Sequence, residues 1–146
     1  MDAPDCLMSL EDASRPEDVA AVVKGLEAYN LHYAPPDGVR PLNIFLRTGE
    51  QKVVGGLIGV TYWGWLYVDR FWLDEGLRQR GYGTQIMAAA EAEALRRGCR
   101  HAHLDTLSFQ ALGFYQRQGY TVWGMLEDLP PGHRRYFLKK DLASPA

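Results

Sequence analysis

The sequence predicts an α/β fold built on a mixed, mostly antiparallel sheet. Apolar runs of strand length recur along the chain, three of them follow one another without an intervening helix, and two amphipathic helical segments separate the later strands. The predicted order is strand, helix, three strands, helix, strand, helix and two strands. Residues 65 to 107 form a central strand–helix–strand unit, which should be parallel and right-handed.

The first half of the chain is predicted to contain a strand, a helix and three further strands. CLMSL, residues 6 to 10, reads as the first strand. Ser14, Pro16 and Glu17 then form a capping-box pattern, which opens a helix that runs to about residue 31. The three strands of the antiparallel run follow at NIFLRT (43–48), KVVGGLIGVTYW (52–63) and WLYVDRFWL (65–73).

The second half is predicted to contain two helices and three strands. Apolar residues line one face of QIMAAAEAEALRR at helical spacing: Ile86, Met87, Ala90, Ala94 and Leu95. CRHAHLDTL is a short strand, and SFQALGFYQRQ is a second amphipathic helix with Ser108 as its N-cap. YTVWGML and RRYFLKKDL are the closing strands.

Composition and charge narrow the functional classes. With 146 residues, 47% of them hydrophobic, the chain is expected to form one domain over residues 1–146. The net charge of −2 gives no general basic field for nucleic acid, and no apolar run approaches the length of a membrane span. Without a secretion signal or a CxxC pair, Cys6 and Cys99 are expected to be reduced thiols of a cytoplasmic protein. Exposed strand edges are compatible with a homodimer.

The stretch RQRGYGT, residues 78 to 84, joins a predicted strand to the start of a predicted helix. The first N–H groups of a helix have no intrahelical partner, and the helix dipole adds positive potential, so phosphate oxygens fit there. Gly81 and Gly83 carry no Cβ that would block the approach. Arg78 and Arg80 add charge. From this stretch alone, a simple glycine turn with solvated arginines stays open as the alternative.

Other ligand chemistries match the sequence less well. The GxxxxGK pattern of nucleotide-triphosphate loops is absent, and the third glycine of a GxGxxG dinucleotide loop is replaced by Ile86. Asp105, at the end of the next strand, keeps a dinucleotide-binding oxidoreductase as an alternative. His101, His103 and Asp105 share one strand face, but no fourth ligand is visible, so no metal is predicted.

Two motifs in register resemble those of the GNAT N-acetyltransferase family. RxxGxG opening a helix after an apolar strand is similar to the family's acyl-coenzyme-A loop. SFQALGFYQRQGY is similar to its later helix, in which a small polar residue (Ser108) is followed seven positions on by a tyrosine (Tyr115) and then by Gly-aromatic. The predicted order of elements is also the family's, and the similarity covers nearly the whole chain. WGWLYVDRFWLDEGLRQRGYG and GHRRYFLKKDL resemble a branch of small bacterial members.

The resemblance implies the splayed acyl-CoA N-acyltransferase fold, with the sheet opening between residues 65–73 and 101–107. The Leu73 N–H would polarise the thioester carbonyl. Ser108, where many members have asparagine, would contact the pantetheine arm, and Arg78 would lie near the pyrophosphate. The pyrophosphate itself would lie on the backbone N–H groups of the turn: Gln79, Arg80, Gly81, Tyr82, Gly83 and Thr84.

The resemblance also implies direct transfer of an acetyl group from acetyl-CoA to a primary amine of a small molecule, with Tyr115 protonating the departing thiolate. Strand alternation places Tyr67, Asp69, Phe71 and Leu73 on one face. Asp69 is therefore the first candidate to deprotonate or hold the amine, and Glu75, where many members have proline, is the second. A non-catalytic acyl-CoA-binding or regulatory module stays open as an alternative.

Overall fold

The structure is a computed structural model that describes residues 5–142. The chain divides into two compact units, Met1–Pro36 and Asp37–Ala146. The first unit contains helix α1 (Pro16–Asn30), which confirms the predicted helix. No helix in the described part of the chain is both long enough and apolar enough to cross a membrane.

Two predictions for the first unit are wrong. The N-cap of α1 is Arg15 rather than Ser14, and no side chain caps the helix, because an arginine side chain has no acceptor for the helix N–H groups. The Arg15 guanidinium pairs with Asp18 at 2.9 Å. Residues 6–10 form no strand. Their large apolar side chains are fully open to solvent: Leu7 (100% exposed), Met8 (99%) and Leu10 (98%). Apolar composition produces a strand only where a neighbour supplies ladder hydrogen bonds, and composition does not reveal that neighbour.

The second unit contains a six-stranded sheet of order β1-β2-β3-β4-β6-β5. All neighbouring strands are antiparallel except β3 and β4, which are parallel. This confirms the predicted mixed sheet with a central parallel pair. The strands are β1 (Arg40–Arg47), β2 (Val53–Tyr62), β3 (Trp65–Leu73), β4 (His101–Leu107), β5 (Thr121–Glu127) and β6 (Arg134–Asp141).

Two helices connect the strands that matter for the site. Helix α2 (Tyr82–Arg96) joins β3 to β4 after a short 3-10 turn (Glu75–Leu77), and helix α3 (Leu112–Arg117) joins β4 to β5. The predicted Ser108 cap of α3 is wrong, because this helix begins after Ala111. The apolar face of α2 lies in a core shared with the strands: Ile86, Met87, Ala90, Ala94, Leu57, Leu66, Val68, Leu104 and Leu138.

A partly buried ion pair fixes the two helices to the sheet. The Lys140 ammonium on β6 donates to both carboxylate oxygens of Glu91 on α2, at 2.6 and 2.9 Å, and to the Gln118 carbonyl at the end of α3, at 2.7 Å. One side chain therefore holds both helices in place. Burial of such a pair is tolerated because each charge is compensated by a partner.

A β-bulge in β3 changes which side chains share a face. Val68 pairs with Gly59 but Arg70 pairs with Ile58, so Asp69 is an extra residue without a partner on β2. Such an insertion reverses the alternation beyond it. Tyr67 therefore lies on the face opposite to Phe71 and Leu73, and the prediction that these residues share a face with Asp69 is wrong.

Candidate functional site

The parallel strands β3 and β4 pair over only half of their length. Trp65 to Val68 pair with His101 to Leu104, and the ladder ends there although both strands continue. Beyond the last pair, residues 69–73 and 105–107 separate, so β4 is held only by β6. We call this opening the fork. Its position confirms the predicted splay.

The backbone of Leu73 points into the fork. Asp74 donates its N–H to the Val54 carbonyl at 2.9 Å, so these two residues form a hydrogen-bonded pair of the β2–β3 ladder. Hydrogen-bonded pairs alternate in an antiparallel ladder, so the neighbouring pair of Leu73 and Gly55 is not hydrogen-bonded. The Leu73 N–H and C=O therefore face away from β2, toward the side from which β4 has separated. The Leu73 N–H is therefore directed toward the fork, and its predicted bond to a thioester carbonyl stays a prediction.

The turn before α2 carries a run of unpaired donors. Within residues 5–142, no hydrogen bond is donated by the backbone N–H groups of residues 79–84, and the first to donate is Gln85, to the Gly81 carbonyl at 3.1 Å. Unpaired N–H groups at the positive end of a helix dipole are the kind of donors that bind anions in proteins, and here six follow one another. All six belong to the predicted pyrophosphate site.

Gly81 and Gly83 are required in the turn for different physical reasons. Gly81 is the N-cap of α2 at φ 86°, a left-handed conformation that favours glycine, and a Cβ there would meet nothing within 4 Å. The space in front of the turn is therefore open. A Cβ on Gly83, by contrast, would lie 3.2 Å from the ring of Phe114. Gly83 therefore allows α2 to pack against α3, and its predicted part in keeping the phosphate approach open stays a prediction.

Polar side chains of the turn are only partly engaged. Arg78 donates through Nε to the Leu73 carbonyl at 3.2 Å, which ties the turn to the end of β3. Neither Arg78 nor Arg80 has a carboxylate partner among residues 5–142. The Thr84 hydroxyl accepts from the Gln118 side chain at 3.1 Å, and its own proton stays available for an anion.

Tyr115 lies on the α2 side of the fork. Its side chain is 6% exposed, and its ring makes an edge contact with Phe71 of β3 at 6.3 Å between centroids. Its hydroxyl has no hydrogen-bond partner within residues 5–142 and, unlike that of Tyr120, is not sealed from solvent. Burial, with a contribution from the charge of Asp105, raises the pKa of Tyr115 to about 12. The phenol therefore keeps its proton at neutral pH.

The predicted acceptor-side carboxylates are both exposed. Asp69 is the bulged residue of β3, beside the point where the strands part. Glu75 lies beyond the strand, at the start of the 3-10 turn, with its N–H bonded to Asp74 Oδ1 at 2.9 Å. Asp69 is thus the nearer of the two along the strand to the last β3–β4 pair.

Ser108 is engaged with the segment that leads into β6. Its hydroxyl accepts the Arg134 N–H at 3.1 Å and contacts His133 Nδ1 at 3.3 Å, and its own N–H bonds the Arg134 carbonyl at 2.8 Å. The residue therefore ties the end of β4 to the start of β6. The predicted contact of Ser108 with the pantetheine arm stays a prediction.

A cluster at the fork was not predicted as part of the transfer site. The Tyr67 hydroxyl donates to Asp105 Oδ2 at 3.1 Å, and the Arg135 guanidinium donates to Asp105 Oδ1, with Nε at 2.9 Å. Asp105 is the first residue of β4 beyond the last pair with β3. Register was the missing signal, since only the pairing of β3 with β4 shows that Tyr67 and Asp105 are neighbours. Because Asp105 is committed to these partners, it is not a free ribose-binding acid.

The histidines of β4 have separate partners. His101 pairs with Asp141 at 2.8 Å, and His103 Nε2 is 2.8 Å from the Tyr62 hydroxyl. Within residues 5–142, no three His, Cys, Asp or Glu residues are grouped so that they could share one metal ion. A cavity of about 480 Å³ includes none of the predicted site residues in its lining. It is lined by five ring-bearing residues and one lysine: Tyr62, Trp63, Trp65, His103, Trp123 and Lys139.

Known proteins with similar sequences are acetyltransferases. A family model described as acetyltransferase (GNAT) family matches residues 8–120. Acetyltransferase Atu2258 of Agrobacterium fabrum is 39% identical over 90% of this chain and 96% of its own length. Blasticidin-S acetyltransferase of Streptomyces morookaense is 40% identical over 77% of this chain and 85% of its own length.

The solved structures agree with the sequence relatives. An acetyltransferase structure from Agrobacterium tumefaciens is 38% identical and superposes with a TM-score of 0.87, over 93% of this chain and 99% of that chain. The fold and the order of elements are therefore shared over nearly the whole chain.

Proposed function

This chain belongs to the acetyltransferase (GNAT) family and is an acyltransferase enzyme, and we propose that it transfers an acetyl group from acetyl-CoA directly to a primary amine of a small molecule. The observation that carries the proposal is the fork, into which the Leu73 N–H points beside the unpaired N–H groups of residues 79–84. The dinucleotide alternative is wrong, since the relatives are acetyltransferases.

In this proposal, acetyl-CoA binds through the end of the molecule that carries its phosphates. The pyrophosphate of acetyl-CoA accepts hydrogen bonds from the backbone of residues 79–84, with Arg78 and Arg80 supplying positive charge and the Thr84 hydroxyl one further donor. The pantetheine arm then runs into the fork along the open edge of β3. The acetyl carbonyl ends at the Leu73 N–H.

The reaction needs one new bond and one broken bond. The amine nitrogen attacks the thioester carbon, and the negative charge that develops on oxygen is stabilised by the Leu73 N–H. Collapse of this intermediate breaks the C–S bond, and the departing thiolate takes the proton of Tyr115. The amine loses its extra proton to Asp69, to Glu75 or to solvent, and the Tyr115 phenolate takes a proton back from solvent.

Direct attack fits the position of the buried thiol. Cys99 precedes β4, at the opposite end of that strand from the fork, and burial raises the pKa of its thiol. A thiol that is buried and protonated is a poor nucleophile. No covalent acyl-enzyme on Cys99 is therefore part of the proposal.

The proposal is tested by a transfer assay with three amines: blasticidin S, spermidine and benzylamine. Blasticidin S is included because the relative from Streptomyces morookaense is a blasticidin-S acetyltransferase. Release of the CoA thiol and the mass of the acetylated amine are followed together. We expect thiol release that depends on both acetyl-CoA and an amine. Tight acetyl-CoA binding without transfer to any of the three amines would contradict the proposal and favour a non-catalytic acyl-CoA-binding module.

A further inference from the structure

A chain of three hydrogen-bonded side chains lies at the boundary of the fork. Tyr67 is on β3, Asp105 on β4 and Arg135 on β6, so these hydrogen bonds join three neighbouring strands of the sheet. The Asp105 side chain is only 17% exposed. None of these three residues has a place in the transfer steps described above.

The direction of these hydrogen bonds follows from the chemistry of the groups. A guanidinium can only donate, and an ionised carboxylate can only accept. Arg135 therefore occupies one oxygen of Asp105, and the single proton of the Tyr67 hydroxyl is committed to the other oxygen. The Tyr67 oxygen is left with lone pairs and no proton to give. The partner that suits it is an N–H donor.

The bulge at Asp69 leaves the Tyr67 oxygen on the face of the sheet opposite to Phe71 and Tyr115. Phe71, and with it the ring of Tyr115, lies on the α2 side of the sheet, and Tyr67 lies on the opposite side. Beyond Val68 no ladder hydrogen bonds close the sheet between β3 and β4. Acetyl-CoA that enters from the α2 side and an amine that enters from the Tyr67 side can therefore meet at the thioester carbonyl.

The electrostatics agree with this geometry. Burial, the charge of Asp105 and its hydrogen bond, and the charge of Asp69 raise the pKa of Tyr67 to about 12, while Arg135 acts in the opposite direction. The hydroxyl thus stays protonated and keeps its orientation at neutral pH. Asp105 also raises the pKa of Tyr115, so its carboxylate is within electrostatic reach of both tyrosines.

We propose that the Tyr67 oxygen accepts a hydrogen bond from an N–H of the acceptor amine and so aims the nitrogen lone pair at the thioester carbon, with Asp105 as the positioning residue that holds the Tyr67 proton away from the amine. This inference rests on the proposed function and adds to it the group that receives the amine. Arg135 holds Asp105 in the orientation that this requires.

Two substitutions test the inference. Tyr67→Phe removes the acceptor oxygen. Asp105→Asn keeps the shape, but its oxygen must serve Arg135, so its amide donates to Tyr67 and frees the tyrosine proton to oppose an N–H donor. The matched control is Tyr62→Phe, which removes a hydroxyl on β2 that lies 2.8 Å from His103 Nε2, on the half of β4 that is paired with β3.

The amine used is the one that wild type turns over fastest among blasticidin S, spermidine and benzylamine. Three values are measured: the KM for this amine, the kcat with it, and the Kd for acetyl-CoA by calorimetry. We expect the amine KM to rise about tenfold or more in both variants, as for loss of a hydrogen bond to a charged or strongly polarised group. The acetyl-CoA Kd should stay within about twofold of wild type, because the turn is untouched. Tyr62→Phe should leave all three values unchanged.

The outcomes separate the inference from the proposed function. An unchanged amine KM in either variant, or a fall in kcat alone, would overturn the inference and leave the proposed function standing. If wild-type protein acetylates none of the three amines, the proposed function falls, and this inference falls with it. A parallel rise in the acetyl-CoA Kd would show a general loss of structure and would equally count against a specific role at the amine.

Discussion

The two halves of the parallel strand pair β3–β4 have opposite properties. In the paired half, the side chains that face the helices are fully buried: Leu66, Val68, Ala102 and Leu104. In the fork, Asp69, Arg70 and Trp72 are exposed, and the Leu73 N–H has no neighbouring strand to bond. The same two strands thus hold the core together at one end and leave backbone donors free at the other. The donors that a sheet would normally use for its own ladder become available to a ligand only where the strands part.

The largest expected effect is on the stability of the paired half. Leu104 is 1% exposed in the core, so Leu104→Ala should lower the free energy of unfolding by about 3 kcal/mol or more, from lost burial and the cavity that remains. Leu107 is partly exposed in the fork, so Leu107→Ala should lower the free energy of unfolding by only about 1 kcal/mol. Urea unfolding measures both. Equal losses would show that the fork is as much a part of the core as the paired half.

A smaller effect concerns the alkaline stability of the fork. The pKa of Tyr115 is raised to about 12 in the folded protein, against about 10 in the unfolded chain. Its stabilisation is fully present below pH 10 and is lost as the pH rises toward 12, because the unfolded state gives up the proton first. The unfolding free energy of wild type relative to Tyr115→Phe should therefore fall by about 2 kcal/mol between pH 10 and pH 12. A difference that stays constant over this range would show that the phenol is not buried.

The smallest effect in free energy is on catalysis at neutral pH. Tyr115→Phe should lower kcat about tenfold or more, while the acetyl-CoA Kd changes little, because the phenol acts on the leaving thiolate and not on the bound phosphates. Tyr62→Phe, which removes a hydroxyl on β2 outside the fork, should leave kcat unchanged. Steady-state kinetics with saturating acetyl-CoA decides this. An undiminished kcat in Tyr115→Phe would remove Tyr115 from the transfer step.

Sequence reasoning located the strands of the second unit and the turn because their signals are local. Alternation and turn residues lie within a few positions of what they specify, and RQRGYGT carries its glycines and its arginines in one short stretch. The prediction of a strand at CLMSL was wrong for the same reason, since a strand also needs a neighbouring strand, which local composition does not reveal.

The parts of the site that the sequence did not predict depend on the register of strand pairing. The bulge at Asp69 arises from the pairing of β3 with β2, and it alone decides that Tyr67 and Phe71 lie on opposite faces. The neighbourhood of Tyr67 and Asp105 arises from the parallel pairing with β4. Neither pairing is visible in one strand alone. The packing of Gly83 also could not be predicted from its own segment, since the ring that it contacts belongs to Phe114, far along the chain.

The measurement that tests the central claim most directly is calorimetric titration with acetyl-CoA of wild type, Gly81→Glu and Gly98→Glu. These two glycines lie at opposite ends of α2 with φ of 86° and 87°, and a Cβ on either would meet nothing within 4 Å, so the backbone strain is matched. Only the substitution at Gly81 puts a carboxylate in front of the unpaired N–H groups. We expect wild type and Gly98→Glu to bind acetyl-CoA alike and Gly81→Glu to bind about a hundredfold more weakly or not at all. Equal affinity of all three proteins would contradict the claim that the turn binds the phosphates of the donor.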